Sequence, residues 1–327
     1  MTRHWRRFIG LSLVGALTAW APAAQAAWQP TKPIEFVIPA GTGGGADQMA
    51  RLIAGLAEKH KLTPRPIIAV NKSGGAGAEG FLHVKSKKGD AHTIVITLSN
   101  LFTTPLHTGI PFNWKDLTPV ARIALDEFIL WVNAETPYKT AREYLAAVKE
   151  KNGAMKMGGT GSAQEDQIIT VLLEHAQAVK FTYVPFKGGG EVCVNLVGKH
   201  VDSTVNNPIE CASHWKAGRV RPLAVFDTAR IPVTEWKDIP TVKEALGTEI
   251  TYLMLRGIFG PPDMPAEAVA WYQDLLKKVV ETPEFKDYMQ QGALKPAWLI
   301  GPELSTWIER EDQVHRELMS KGGLLKK

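Results

Sequence analysis

Four glycine-rich segments carry the most distinctive chemistry of this chain. They are Gly41-Thr42-Gly43-Gly44-Gly45-Ala46-Asp47, Ser73-Gly74-Gly75-Ala76-Gly77, Gly158-Gly159-Thr160-Gly161-Ser162 and Lys187-Gly188-Gly189-Gly190-Glu191. Each follows a short apolar run that reads as a strand. A turn of this kind at the start of a helix presents unpaired N–H groups at the positive end of the helix dipole, a ready anion site. Glycine lets the backbone approach a ligand with no Cβ in the way. The chemistry implied is the capture of a small carboxylate, with the first turn as one half of a clamp. Asp47 has a rival role, because an acid in a first helical turn stabilises its own helix by about 0.3–1 kcal/mol. The second turn, with Gly75, is balanced between ligand contact and ordinary connection.

Other chemistries find less support. Gly41-Thr42-Gly43-Gly44-Gly45-Ala46 fits the dinucleotide pattern G-x-G-x-x-A, but the next strand ends at Val70-Asn71 without the acid that would bind a ribose. No phosphate-binding loop G-x-x-x-x-G-K-[ST] occurs. No G-x-S-x-G elbow occurs, and Ser162 lies in the wrong frame for one. No H-E-x-x-H occurs, and the nine histidines are dispersed, so neither a metal nor a cofactor is expected. Glu174-His175 reads as a solvated pair on a helix.

The elements that must position these turns alternate in type. Ile34–Ile38, Pro66–Val70, His92–Leu98, Phe128–Val132, Phe181–Phe186, Val201–Val205, Arg221–Phe226 and Thr251–Phe259 read as strands. Met49, Leu52, Ile53 and Leu56 share one helical face, as do Tyr144, Leu145 and Val148, and Ile168, Ile169, Leu172 and Leu173. After Pro261-Pro262-Asp263 the chain reads as helical throughout. Strands alternating with helices predict an α/β chain of mainly parallel sheets flanked by helices, with ligands at the carboxyl ends of the strands. Two such halves facing each other make a cleft lined by helix N-termini.

The chain has 327 residues, of which 45% are hydrophobic, enough for one large or two ordinary cores. Its first 26 residues read as a secretory signal peptide: Arg3, Arg6 and Arg7, an apolar run from Phe8 to Trp20, and Ala24-Gln25-Ala26. Cleavage there reduces 38 basic residues to 35 against 33 acidic, and the net charge from +5 to +2. The remaining charge is scattered, so nucleic acid is not an expected partner. No later stretch is long and apolar enough to span a bilayer, and a soluble, periplasmic chain is expected. Cys193 and Cys211 are free to pair in that compartment. Spacing does not decide, and two buried free thiols is the expectation.

With these residues the chain resembles the substrate-binding proteins of tripartite tricarboxylate transporters, the Bug family of periplasmic receptors. The resemblance runs through Lys32-Pro33-Ile34, the four turns, Val184-Pro185-Phe186 and Ala217-Gly218-Arg219-Val220-Arg221-Pro222-Leu223. It departs at Gly43-Gly44-Gly45-Ala46-Asp47, where many members have Pro-Gly-Gly-Ser-Thr-Asp; only Thr42 offers a hydroxyl here. The resemblance implies a type II-like, two-lobed periplasmic-binding-protein fold with the ligand cleft between the lobes. Lobe one would comprise residues 27–127 and 252–327, and lobe two residues 128–251. It also implies a non-enzymatic, monomeric receptor that delivers a carboxylate to one large and one small integral membrane permease subunit. Thr42, Gly43, Gly44, Gly45 and Ala46 would hold one carboxylate, directly or through water. Gly159, Thr160, Gly161 and Ser162, with Lys187, Gly188, Gly189 and Asn206 or Asn207, would hold the ligand's other end. The Lys187 side chain is expected in solvent.

Overall fold

A computed structural model of the chain describes Met1 and residues 28–326. The signal read in residues 1–26 lies outside the described residues, Met1 apart. The chain begins with β1 (Ile34–Ile38), α1 (Gly45–Lys59), β2 (Ile67–Asn71), α2 (Ala78–Lys85), β3 (Thr93–Thr97), α3 (Asn100–Thr108) and β4 (Thr118–Asp126). It crosses through Glu127 and Phe128 into β5 (Ile129–Asn133), α4 (Ala141–Lys151), β6 (Lys156–Thr160), α5 (Glu165–Gln177), β7 (Thr182–Phe186) and α6 (Gly189–Val197). Then come β8 (Ser203–Asn206), α7 (Pro208–Lys216), β9 (Val220–Val225) and α8 (Val242–Leu246). It returns with β10 (Met254–Gly260), α9 (Ala266–Glu281), α10 (Pro283–Gln291), β11 (Lys295–Leu299) and α11 (Gly301–Lys321).

Two sheets result, one ordered β11-β4-β10-β3-β1-β2 and the other β7-β6-β8-β5-β9. We call the bodies around them the first and second lobes. β1 is parallel to β2 and β3, and β6 is parallel to β7 and β8. β10 and β11 run antiparallel to their neighbours, as does β5. The parallel expectation thus holds for the strand–helix–strand part of each sheet, while each sheet as a whole is mixed. The reason is the crossover. β5 and β10 enter their sheets from the opposite lobe, at the end where the parallel strands finish, so they run the other way. The two crossings are tied together: the Phe226 N–H donates to the Phe128 carbonyl and the Tyr252 N–H to the Phe226 carbonyl, each at 2.9 Å.

Local sequence accounts for the helices that matter to the cleft. On α1, Met49, Ala50, Ile53, Leu56 and Ala57 are buried, one continuous stripe at helical spacing. α4 starts in a capping box of Thr140 and Glu143, and α7 in one of Asn207 and Glu210 with Pro208 at its first position. Three expectations need correction. Gly158 and Gly159 belong to β6 and not to a turn. A Cβ at Gly159 would overlap the Tyr183 hydroxyl, so glycine there serves close packing. The segment after Pro262 is not helical throughout, since β11 interrupts it, and Thr118–Asp126 is a strand that its broken alternation hid. Cys193 and Cys211 form a disulfide, with Cα atoms 5.7 Å apart. They pair because α6 and α7 lie side by side and both cysteines face the contact, fully buried.

Candidate functional site

The two lobes touch where the first and fourth turns meet. The Gly41 N–H donates to the Lys187 carbonyl at 2.9 Å. The approach is backbone to backbone: a Cβ on Gly41 would sit 2.8 Å from the Lys187 oxygen, and one on Gly190 would sit 2.7 Å from the Gly43 oxygen. Both distances are shorter than real Cβ contacts, so these glycines permit the closed arrangement.

At each turn, N–H groups meet the protein's own carboxylates. Gly43 donates to Asp47 at 2.9 Å, Gly74 to Glu79 at 3.2 Å, Thr160 to Asp166 at 2.5 Å and Lys187 to Glu191 at 3.1 Å. In every case the acid lies in the first turn of the helix that follows. Asp47 also accepts from Arg51 and Asn71. Burial alone would raise its carboxyl, but these bonds hold it below the usual range. Asp166 behaves oppositely, because burial and the neighbouring Glu165 and Glu210 push it well above that range. Across the lobes, the Gly45 N–H donates to Glu210 at 2.9 Å. Beneath Gly45, fully buried Arg256 pairs with Asp126 through Nε at 2.9 Å and Nη2 at 2.5 Å, and Nη2 also reaches Asn207 Oδ1 at 3.1 Å.

Further unengaged donors face open space between the lobes. A cavity of about 760 Å³ opens between the lobes, walled on one side by Pro39, Ala40 and the turn from Ser73 to Gly77, and on the other by Gly161, Ser162, Gln164 and Lys187. The N–H groups of Gly75, Ala76 and Ser162 on its walls engage no acceptor among the described residues. Gly75 and Ala76 both have positive φ, +60° and +57°, which turns these groups away from ladder partners. Gln164 Nε2 crosses between the lobes to the Ala76 carbonyl at 2.8 Å. His107, also on the cavity wall, donates from Nδ1 to the Leu324 carbonyl at 2.9 Å. The arrangement offers backbone donors from both lobes around a volume suited to a small metabolite.

Of the residues singled out in the sequence, Gly75, Gly161, Ser162 and Lys187 line this cavity. Thr42 is exposed, Gly44, Gly45, Ala46 and Asp47 are buried in or against α1, and Gly43 faces Gly190. Gly159 and Thr160 are buried in β6, and Gly188 and Gly189 pack under the first turn. Asn206 and Asn207 are buried supports: Asn206 Nδ2 donates to the Gly189 carbonyl at 2.8 Å and Asn207 Nδ2 to the Glu127 carbonyl at 2.7 Å. Sequence reasoning missed His107, Gln164, Glu210 and Arg256. It also missed Glu79, Asp166 and Glu191 as turn acceptors, although an acid four to six residues beyond each donor was visible in the chain.

No helix among the described residues is long and apolar enough to cross a membrane. A Cupriavidus necator chain, the UPF0065 protein of the gbd 5′ region, is 28% identical over 330 residues, covering 99% of this chain and 98% of that one. A Rhodopseudomonas palustris protein with adipate superposes with a TM-score of 0.83 at 22% identity, covering 91% of this chain and 99% of that one. The malate-bound MatC of Rhodopseudomonas palustris superposes with a TM-score of 0.78 at 22% identity, covering 88% and 99%. At that identity the two superpositions establish the fold alone, two α/β lobes each built on its own sheet. The model of the tripartite tricarboxylate transporter family receptor, TctC, matches residues 49–324, and over that span the chain belongs to this family of solute-binding receptors.

Proposed function

We propose that the 760 Å³ cavity captures a small carboxylate, with the lobes closed around it. The observation that carries this reading is the set of unengaged N–H groups at Gly75, Ala76 and Ser162, contributed by both lobes. Backbone donors bind an anion without a buried cation. Proteins of the same fold that hold adipate and malate support the class of ligand. Short dicarboxylates, tricarboxylates or aromatic carboxylates fit; neutral sugars offer no anion to the donors. Gly161 and Lys187 complete the walls, and the residues from Thr42 to Asp47, with Gly159, Thr160, Gly188, Gly189, Asn206 and Asn207, shape the closed cleft from behind. The lobes divide at 27–127 with 252–327, and 128–251. The chain is exported with cleavage near Ala26, acts as a monomer without enzymatic turnover, and passes its solute to one large and one small permease subunit.

A thermal-shift panel on protein unfolded and refolded to strip carried-over solute tests this. A ligand at a hundred times its dissociation constant stabilises the native state by about 2.7 kcal/mol, which for lobes of this size is roughly 5–10 °C. Malate, adipate, citrate or benzoate should include at least one active compound. Stabilisation by glucose or putrescine with every carboxylate inactive would overturn the reading.

A further inference from the structure

Glu210 belongs to the second lobe, near the start of α7, yet its carboxylate serves the first. Oε1 accepts from the Gly45 N–H at the N-terminus of α1, and Oε2 accepts from the Asn207 N–H at 3.2 Å. Gly189 leaves room for it, since a Cβ there would overlap the carboxyl. The sequence assigns the α1 N-terminus to the solute; in the structure the protein's own acid occupies that seat. We propose that Glu210 is an interlobe latch: on closure its carboxyl takes the seat at the α1 N-terminus, so the protein and not the solute fills it. The proposal rests on the receptor reading only in that closure serves capture.

The surroundings of Glu210 couple the latch to protons. It faces Arg256 on β10, Asp126 on β4, Glu165 and Asp166 on α5 and Tyr288 on α10. His214, one turn along α7, and Lys216 line the same small cavity. Burial, then repulsion from Asp126 and Glu165, pushes the Glu210 carboxyl up to about 7, against the Gly45 bond and the pull of Arg256. With the lobes apart the group meets water and returns to an ordinary value of about 4.3. Closure therefore takes up protons. The contribution is fully present below that ordinary value and is lost as pH rises through about 7. Burial also raises Glu165 to about 7, so it acts in the same direction.

The test compares wild type, Glu210→Gln and Glu210→Ala by amide spectra and X-ray scattering, with malate and adipate as binding probes. In wild type the Gly45 amide proton resonance should titrate between pH 5 and 8. In Glu210→Gln that titration should vanish while the protein stays as compact as wild type, because the carboxamide oxygen still accepts. In Glu210→Ala the Gly45 amide should exchange with solvent, the radius of gyration should rise, and the affinity for a probe that binds wild type should fall about tenfold or more, the worth of one charge-assisted bond. A Gly45 resonance that is flat with pH in wild type, or an alanine variant as closed as wild type, would overturn the latch. If neither probe binds wild type, the receptor reading suffers, while the Gly45 titration still decides the latch.

Discussion

Gly190→Ala separates the closed state from the stability of the lobes that form it. Gly190 is the second residue of α6, where alanine should stabilise the helix by about 0.5–1 kcal/mol. The new Cβ, however, would stand 2.7 Å from the Gly43 oxygen and 2.8 Å from its carbonyl carbon, both backbone atoms of the other lobe. Ordinary carbon–oxygen contacts begin near ~3.3 Å, so the lobes must part by roughly 0.6 Å at this point. The Gly41–Lys187 and Gly45–Glu210 bonds, each 2.9 Å, then stretch past useful length. A neutral bond contributes about 0.5–1.5 kcal/mol and one to a charged group about 1.5–3 kcal/mol, so closure loses at least ~2 kcal/mol. Calorimetric titration with a stabilising carboxylate should show affinity at least ~30-fold weaker. The solute-free melting temperature should stay level or rise. Binding within threefold of wild type, or a fall in solute-free stability, would refute the argument that this backbone contact belongs to the solute-bound state.

Three further outcomes follow from buried groups. Arg256→Met strands Asp126 without a cation and should cost about 3–5 kcal/mol, read by denaturant melts, with Asp126→Asn in the same chain restoring part of the loss. Reducing the Cys193–Cys211 disulfide should lower stability by about 2–5 kcal/mol, and a Cys193→Ala, Cys211→Ala chain should melt like the reduced protein. Burial pushes His315 down to about 4, so its contribution is present above its ordinary value of ~6.5 and is lost as pH falls through 4. Melts between pH 7 and 4 should show that loss, and His315→Gln should flatten it.

The fold was legible where pattern and period agreed. The stripe on α1 and the parallel strands β1, β2 and β3 stood out because buried residues recur at one spacing and glycines punctuate the ends. β4 and β11 did not, because their polar and proline residues interrupt the alternation and only their antiparallel partners make them strands. The glycine turns were visible, but their purpose was only half legible. Glycine marks a close approach without naming what approaches. At Gly41 and Gly190 it is the other lobe's backbone, and at Gly159 a tyrosine. Glu210 and Gly45 are 165 residues apart, so no local spacing could have paired them. The disulfide was likewise hidden, since it depends on how α6 and α7 pack.

We propose that solute is held by the turns bearing Gly75, Ala76 and Ser162, and not by the Gly43 and Gly45 donors of the first turn, which already meet Asp47 and Glu210. Amide spectra recorded during titration with a carboxylate that stabilises the protein test this directly. The Gly75, Ala76 and Ser162 amide resonances should move downfield to saturation and become protected from exchange, while Gly43 and Gly45 stay near their starting positions. Saturation with the Gly43 and Gly45 resonances displaced, and Gly75, Ala76 and Ser162 silent, would contradict this assignment and return the solute to the first turn.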